Sequence, residues 1–533
     1  MRVGGMRIVV LLLGALFLLS ADAVEPSVSW ETGRKKVVSF GWEWRYLTPA
    51  DFARCADRIE ATGLDGVGMY IYPKGHEGEY EWSSRWLCEA KFTWTHEMVD
   101  DQISTLREVT GHKGLRESFI MSLAAPRKRI GWRDDERWHR VAQSMGTMAW
   151  MAKKSGIRGL AIDPEDYSRA NQYKRCAGDE PWEVLAPLAR QRGREVFSEV
   201  FREYPEIAVC AFWLLSWEIG FVDANNSMAA AASGGNLWPA FVNGILDVMP
   251  PTAVLIDGNE WSYQYEASRR EFAASAIAQR NASMGLVAPE NRLKYRGQVF
   301  PGFGIYLDSY TGGATNSDGK ANKYYFGPEN GSRLGHLERN LSSALRNCGE
   351  YVWFWGEQYT WIDHADGQKL LPDVRRAKWE DKLPGLSSIV RVCSNPKAFL
   401  SHDLPLLREN GLMKNLMAEK DVGEMSASAQ AKPDGSRHFA CRLPAETVKP
   451  GTHFVLAVEG VGDGLSVGYW WTGGRLPNGS LALAGSPDGR RRGVTVISVP
   501  EGALGLNIDF YMGDKCSFER AYLGLVPTKI DNK

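Results

Sequence analysis

The stretch Arg158-Gly159-Leu160-Ala161-Ile162-Asp163-Pro164-Glu165 is a short apolar run that closes on a proline and two carboxylates. Helical patterns flank it, over 134–154 before and 182–203 after, which makes it the strand of a βα unit. Seven more runs of this kind lie outward from it. Three precede it, at 37–44, 66–72 and 118–123, and four follow, at 207–215, 253–257, 301–308 and 351–356. With 159–163 as the fourth strand, the total of eight is the number that closes a (β/α)8 TIM barrel, an α/β fold.

The punctuation between the runs agrees. Thr48 caps a helix with Pro49 at its first position and Phe52, Cys55 and Ile59 on one face. Thr95 is expected to begin another, and helices are also expected over 265–284 and 332–347. The long irregular segments, 73–94, 164–180, 216–235 and 309–331, all follow strands, whereas Gly63-Leu64-Asp65 and Ser155-Gly156-Ile157-Arg158 make short returns. In a barrel, loops after strands build the active face. Beyond Trp361 the alternation fades into a connecting segment, 381–414. Residues 415–533 then carry seven short strands between Gly, Pro, Asp and Asn turns, the pattern of a C-terminal β-sandwich. Within it, Tyr469-Trp470-Trp471 is a candidate sugar platform, although adjacent aromatics on a strand alternate faces and so at least one belongs to the core.

Residues 1–23 have a basic start, an apolar run from Ile8 to Leu19, and the small-x-small triplet Ala21-Asp22-Ala23. They are expected to be a secretory signal, leaving a secreted or periplasmic chain whose barrel spans 24–380. No later stretch approaches the roughly 20 apolar residues of a membrane span. A net charge of −1 supplies no basic field for nucleic acid or an anionic membrane. The 20 Trp, 19 Tyr and 20 Phe suit an uncharged, ring-shaped partner. The eight cysteines form no C-x2-C pair. Cys441 and Cys516 are a candidate disulfide, and Cys210, in an apolar strand, is expected to be a buried thiol. No H-E-x-x-H, phosphate loop or G-x-S-x-G elbow occurs, so no metal or cofactor is expected.

Carboxylates gather at the strand ends. Asp163 and Glu165 are two residues apart, a spacing that a pleat turns to one side, and Tyr167 adds a phenol. Crowding raises one carboxyl's pKa above the other's, as proton donation to a leaving group requires. A second cluster, Asp257-Gly258-Asn259-Glu260-Trp261 with Tyr263, ends the sixth strand. Glu165 is therefore expected to be the general acid, Asp163 its tuning partner and Glu260 the base or nucleophile. Asp308 and Glu357 compete for the last role. Trp42, Glu43 and Tyr70 are expected to bind on the same rim, and Trp353 or Trp355 to floor the site.

The fourth-strand segment resembles the D-G-x-D-x-D-x-E segment of chitinase-type hydrolases, matching only in its later part, since Arg158 and Ala161 replace two acidic positions. That likeness implies that Glu165 is the acid and that Asp163 orients a substrate N-acetyl group. Glu165 with Asp308 also resembles, in position alone, the strand-four and strand-seven layout of the large retaining clan of barrel glycosidases. The C-terminal strands look like the jelly-roll modules that trail secreted glycosidases. These features converge on a glycoside hydrolase acting on an oligo- or polysaccharide. The alternatives are a non-catalytic carbohydrate-binding barrel and a lyase or esterase that uses the same acidic rim.

Overall fold

The computed structural model describes residues 35–89, 91–219, 228–315, 320–328 and 333–395, and in the C-terminal part 402–404, 430–431 and most of 437–526. Residues 1–34, which include the segment read as a signal, lie outside these. The described residues belong to one unit, Arg34–Lys533.

Nine parallel strands form a sheet nearly closed on itself: β1 (Lys36–Ser39), β2 (Gly66–Met69), β3 (Phe119–Leu123), β4 (Gly159–Asp163), β5 (Ala208–Ala211), β6 (Val254–Asp257), β7 (Val299–Pro301), β8 (Phe303–Tyr306) and β9 (Tyr351–Trp355). Their order, β7-β6-β5-β4-β3-β2-β1-β9-β8, follows the sequence around the ring. Eight runs become nine strands because the seventh is split at Gly302, with β7 pairing β6 and β8 pairing β9. A Cβ at Gly302 would stand 2.8 Å from Ile256 Cγ2, too close to be borne without a shift. With helices between the strands, this is a TIM-barrel-like α/β domain.

Strand alternation sorts the side chains. Val38, Phe40, Tyr70, Phe119, Met121, Ala161, Cys210, Phe212, Ile256, Tyr351, Trp353 and Trp355 fill the ring. Their neighbours Val37, Ile120, Leu160, Ile162, Val209, Leu255, Ile305 and Phe354 face the helices. Cys210 is a buried thiol within the inner set, and burial pushes its pKa well up.

Thr48 and Asp51 make a reciprocal capping box on helix Pro49–Ala61, as the Thr-Pro pair predicts. Helices Asp135–Ser155, Trp182–Glu203 and Arg333–Asn347 match expectation closely. Helix Trp238–Val248, not expected from the sequence, is mostly apolar and buried from Trp238 to Leu246. It packs so closely on Trp182–Glu203 that a Cβ on Gly244 would meet the Arg190 carbonyl oxygen at 2.0 Å, and one on Gly193 the Phe241 oxygen at 2.1 Å. Two helical expectations need correction. Thr95 opens only 3-10 turns, and the α-helix starts at Ile103. The 265–284 region is shortened to Glu271–Asn281 because Arg270 takes a left-handed conformation (φ 59°) that ends the preceding turn.

The C-terminal part forms two antiparallel sheets. One contains β10 (His402–Leu404), β13 (His453–Val461), β16 (Ala484–Gly485), β17 (Arg490–Ser498) and β19 (Ser517–Val526). The other contains β11 (Gln430–Ala431), β12 (Arg437–Leu443), β14 (Leu465–Thr472), β15 (Gly479–Leu481) and β18 (Gly505–Met512). Leu456 and Leu523 of the first share one apolar cluster with Val467 and Ile508 of the second. Trp471 lies in that cluster, while Trp470 on the opposite face is 37% exposed and donates to Asp509 at 2.6 Å. The segment read as a connector carries helix Leu386–Ser394, whose Leu386, Ile389 and Val390 complete the barrel's outer core, and strand β10.

The candidate disulfide does not form. Cys441 is buried in the shared cluster, whereas Cys516 sits before β19 in the other sheet, its sulfur accepting from the Gly464 N–H at 3.2 Å. Among the described residues no helix is long and apolar enough to cross a membrane, and no group of three His, Cys, Asp or Glu side chains could hold a metal ion.

Candidate active site

At the carboxyl ends of the barrel strands a cleft of about 290 Å³ is lined by Trp42, Arg45, Glu165, Tyr167, Phe212, Glu260, Tyr263, Tyr306, Tyr324, Trp355 and Glu357. Four strands contribute by parity. Val38 and Phe40 lead to Trp42, Cys210 to Phe212, Gly304 to Tyr306, and Tyr351, Trp353 and Trp355 to Glu357. Trp353 is wholly buried below, stacked on Phe212 (4.5 Å between centroids) and donating to the Gly258 carbonyl at 2.8 Å. Trp355 is therefore the indole that reaches the cleft, and Trp353 supports it.

Three glutamates face this space in different states. Glu260 receives no hydrogen bond from the described residues. Burial, then the charges of Asp163, Glu165 and Glu357, hold its pKa well above the carboxylate range. Glu165 is also raised, first by burial and then by Asp163, with Tyr167, Arg85 and Lys323 pulling the other way. Glu357 accepts from Trp355 Nε1 at 2.9 Å and from the Tyr306 hydroxyl at 3.2 Å, so both its oxygens are engaged. The Tyr263 hydroxyl, buried beside Glu260, has no partner among the described residues.

Four acidic residues expected at the site stand outside the cleft. Asp163 is 1% exposed because Pro164 ends the strand and the chain turns, which cancels the pleat argument. Its carboxyl turns back to accept the Glu165 N–H at 2.9 Å and the Tyr167 hydroxyl at 2.8 Å. Burial raises its pKa, opposed chiefly by Arg85. Asp257 points outward from the ring and binds the N–H groups of Leu214, Leu215 and Ser216 at 2.8–2.9 Å, together with the Ser216 hydroxyl. Glu43 is buried against the Trp361 N–H, with His364 at 3.3 Å. Asp308 accepts the Glu357 N–H at 2.8 Å through Oδ2, and its Oδ1 has no hydrogen-bond partner among the described residues. Tyr70 is likewise buried, inside the barrel, with its hydroxyl 3.5 Å from Arg85. Arg45, Phe212, Tyr306 and Tyr324 line the cleft without having been expected there. Alternation along β5 and β8 points to Phe212 and Tyr306, but Arg45 and Tyr324 lie on turns where periodicity gives no direction.

Burial pushes the Asp308 pKa up to about 7, which ties its protonation to stability. A carboxyl whose folded pKa is raised stabilises most below its unfolded value near 3.8, and that contribution is lost as pH rises through about 7. Asp308→Asn keeps an oxygen for the Glu357 N–H but does not titrate. The difference in unfolding free energy between wild type and variant should therefore shift against the wild type between pH 4 and 8, by at most about 4 kcal/mol. Urea denaturation at several pH values measures it, and a pH-independent difference would rule the linkage out.

No protein-family model matches the chain, and no curated protein does. Among solved structures it is similar to an endo-beta-1,4-mannanase from Thermotoga petrophila, at 11% identity and TM-score 0.39, covering 92% of this chain and 98% of that one. It is also similar to GH5_18 from Streptomyces cattleya in complex with GlcNAc, at 11% and 0.38 over 70% and 82% of the two chains. A sugar phosphate isomerase/epimerase from Parabacteroides distasonis gives 12% and 0.31 over 68% and 97%. Similarity of this degree assigns no activity, and function has to be argued from the site itself.

Proposed function

We propose that this chain is a glycoside hydrolase, exported from the cytoplasm, that cleaves an oligo- or polysaccharide in the Glu165–Glu260 cleft. The observation that carries the reading is the convergence of Glu165, Glu260 and Glu357, in unlike electrostatic settings, on one cleft walled by Trp42, Trp355, Tyr263 and Tyr306. Flat aromatic faces with polar edges suit sugar rings. Unlike carboxyl environments divide acid from base.

In this reading Glu260, the carboxyl that ionises last, protonates the leaving oxygen. Glu165, more open to solvent and close to Lys323 and Arg85, is the ionised partner that activates water or attacks the anomeric carbon. This exchanges the roles expected from the sequence. Glu357, with both oxygens already bonded, positions a sugar hydroxyl. Asp163 holds Tyr167 and the Glu165 backbone in place, so its contribution is to orient them. The domain division also belongs to the proposal: the barrel, 24–380, carries the chemistry, and 415–533 is a β-sandwich of jelly-roll type.

The test is release of reducing ends from a panel of soluble polysaccharides by the wild type and by Glu260→Gln. Release that the substitution abolishes supports the reading. Tight glycan binding without release by the wild type would replace it with the carbohydrate-binding barrel.

A further inference from the structure

Arg45 lacks the kind of partner that holds Arg192 and Arg190; Arg85, ring-packed in the same way and bonded to the Tyr70 hydroxyl at 3.5 Å, is not among the residues that line the cleft. Arg192 engages Glu195, Asp135 and the Trp132 carbonyl, and Arg190 engages Asp247 and Glu290. Arg45 borders the cleft beside Trp42 and Glu165, yet among the described residues its guanidinium has no hydrogen-bond acceptor and no ion-pair partner, and its Nε is buried. Rings hold it in place: the guanidinium carbon lies 5.0 Å from the Trp42 centroid and 5.6 Å from that of Tyr80. The Tyr72 hydroxyl fixes the backbone beneath by donating to the Arg45 carbonyl at 2.6 Å.

A guanidinium without an acceptor of its own keeps hydrogen-bonding capacity that a ligand can use. A second cation is also seated on a ring of the cleft wall: Lys323 lies 4.5 Å from the Tyr324 centroid and has no ion pair within 4 Å among the described residues. A guanidinium fork without an acceptor of its own matches the two oxygens of a carboxylate or sulfate.

We propose that the glycan taken by this cleft carries an anionic substituent, a carboxylate or a sulfate ester, and that the Arg45 guanidinium receives it. The inference rests on the glycan reading above and adds the substrate's charge class. Repulsion from the neighbouring carboxylates is limited while Glu260 keeps its proton.

Affinity electrophoresis of the full chain tests this with matched pairs: polygalacturonate against its carboxyl-reduced product, and carrageenan and chondroitin sulfate against their desulfated products. One charged member should bind at least about tenfold tighter than its neutral counterpart. Whether a uronate or a sulfated glycan shows the preference identifies the source of the anion. Arg45→Gln should bring the charged-to-neutral ratio towards unity. Arg45→Lys, which keeps the charge and loses the fork, should give an intermediate ratio. Equal binding of charged and neutral members, absence of binding by every charged member, or a preference that survives Arg45→Gln overturns the assignment. Hydrolysis is scored separately by reducing-end release and its loss in Glu260→Gln, so either conclusion can fail without the other.

Discussion

Glu260→Gln should lower kcat by about 10³, the middle of the range for removal of a general acid, with KM little changed. The amide has the carboxyl's shape and cannot release a proton. Burial and three neighbouring carboxylates keep Glu260 protonated above the ordinary range, so the wild-type rate should fall on the alkaline side as Glu260 finally ionises. The acid limb should follow Glu165, whose ionised form is needed. Glu165→Gln should be comparably slow, whereas Glu357→Gln should act mainly on KM because that carboxylate is held by Trp355 and Tyr306. If Glu260→Gln keeps more than about a tenth of the wild-type kcat, Glu260 is not the proton donor.

Asp257→Ala should be the most damaging substitution for stability among the carboxylates named here. Its side chain is 1% exposed and satisfies three consecutive backbone N–H groups and one hydroxyl at the end of β5. Alanine leaves those donors dry, and at about 1–3 kcal/mol per unmet group even partial relaxation leaves a loss of roughly 4 kcal/mol. The lowered midpoint should be visible in urea or thermal unfolding. Asn, which offers one acceptor oxygen and adds a donor, should recover only part. A midpoint within the error of the wild type would show that water or a rearranged loop replaces the carboxylate.

The barrel was legible because its strands and most helices announce themselves locally, by apolar runs, caps and returns such as Ser155-Gly156-Ile157-Arg158. The site was less so, and the reason is geometric. The sequence shows that Trp42-Glu43 and Asp257-Gly258-Asn259-Glu260 end strands. It does not by inspection show where regular alternation stops. Within the strands parity works: Tyr351, Trp353 and Trp355 lead to Glu357, and Ile256 facing in puts Asp257 outside. Beyond them it fails, since Pro164 turns the chain between Asp163 and Glu165, and Asn259 takes a left-handed conformation (φ 44°) just before Glu260. Acidic residues at strand ends therefore fall into two groups that composition cannot separate. Glu165, Glu260 and Glu357 meet the cleft, while Glu43, Asp163, Asp257 and Asp308 tie down backbone or a neighbouring phenol.

The break at Gly302 also gives the ring a seam. The ladder passes from β6 to β7 before Gly302 and from β8 to β9 after it, so the two halves of this segment serve different neighbours. Ser262 closes the seam, its hydroxyl donating to the Gly304 carbonyl and accepting the Gly304 N–H, both at 2.8 Å. Tyr263 continues the closure by stacking on Tyr306 with 5.3 Å between centroids. The turn that carries Glu260 is thereby fastened to the strand on the far side, and the two walls of the cleft keep one spacing.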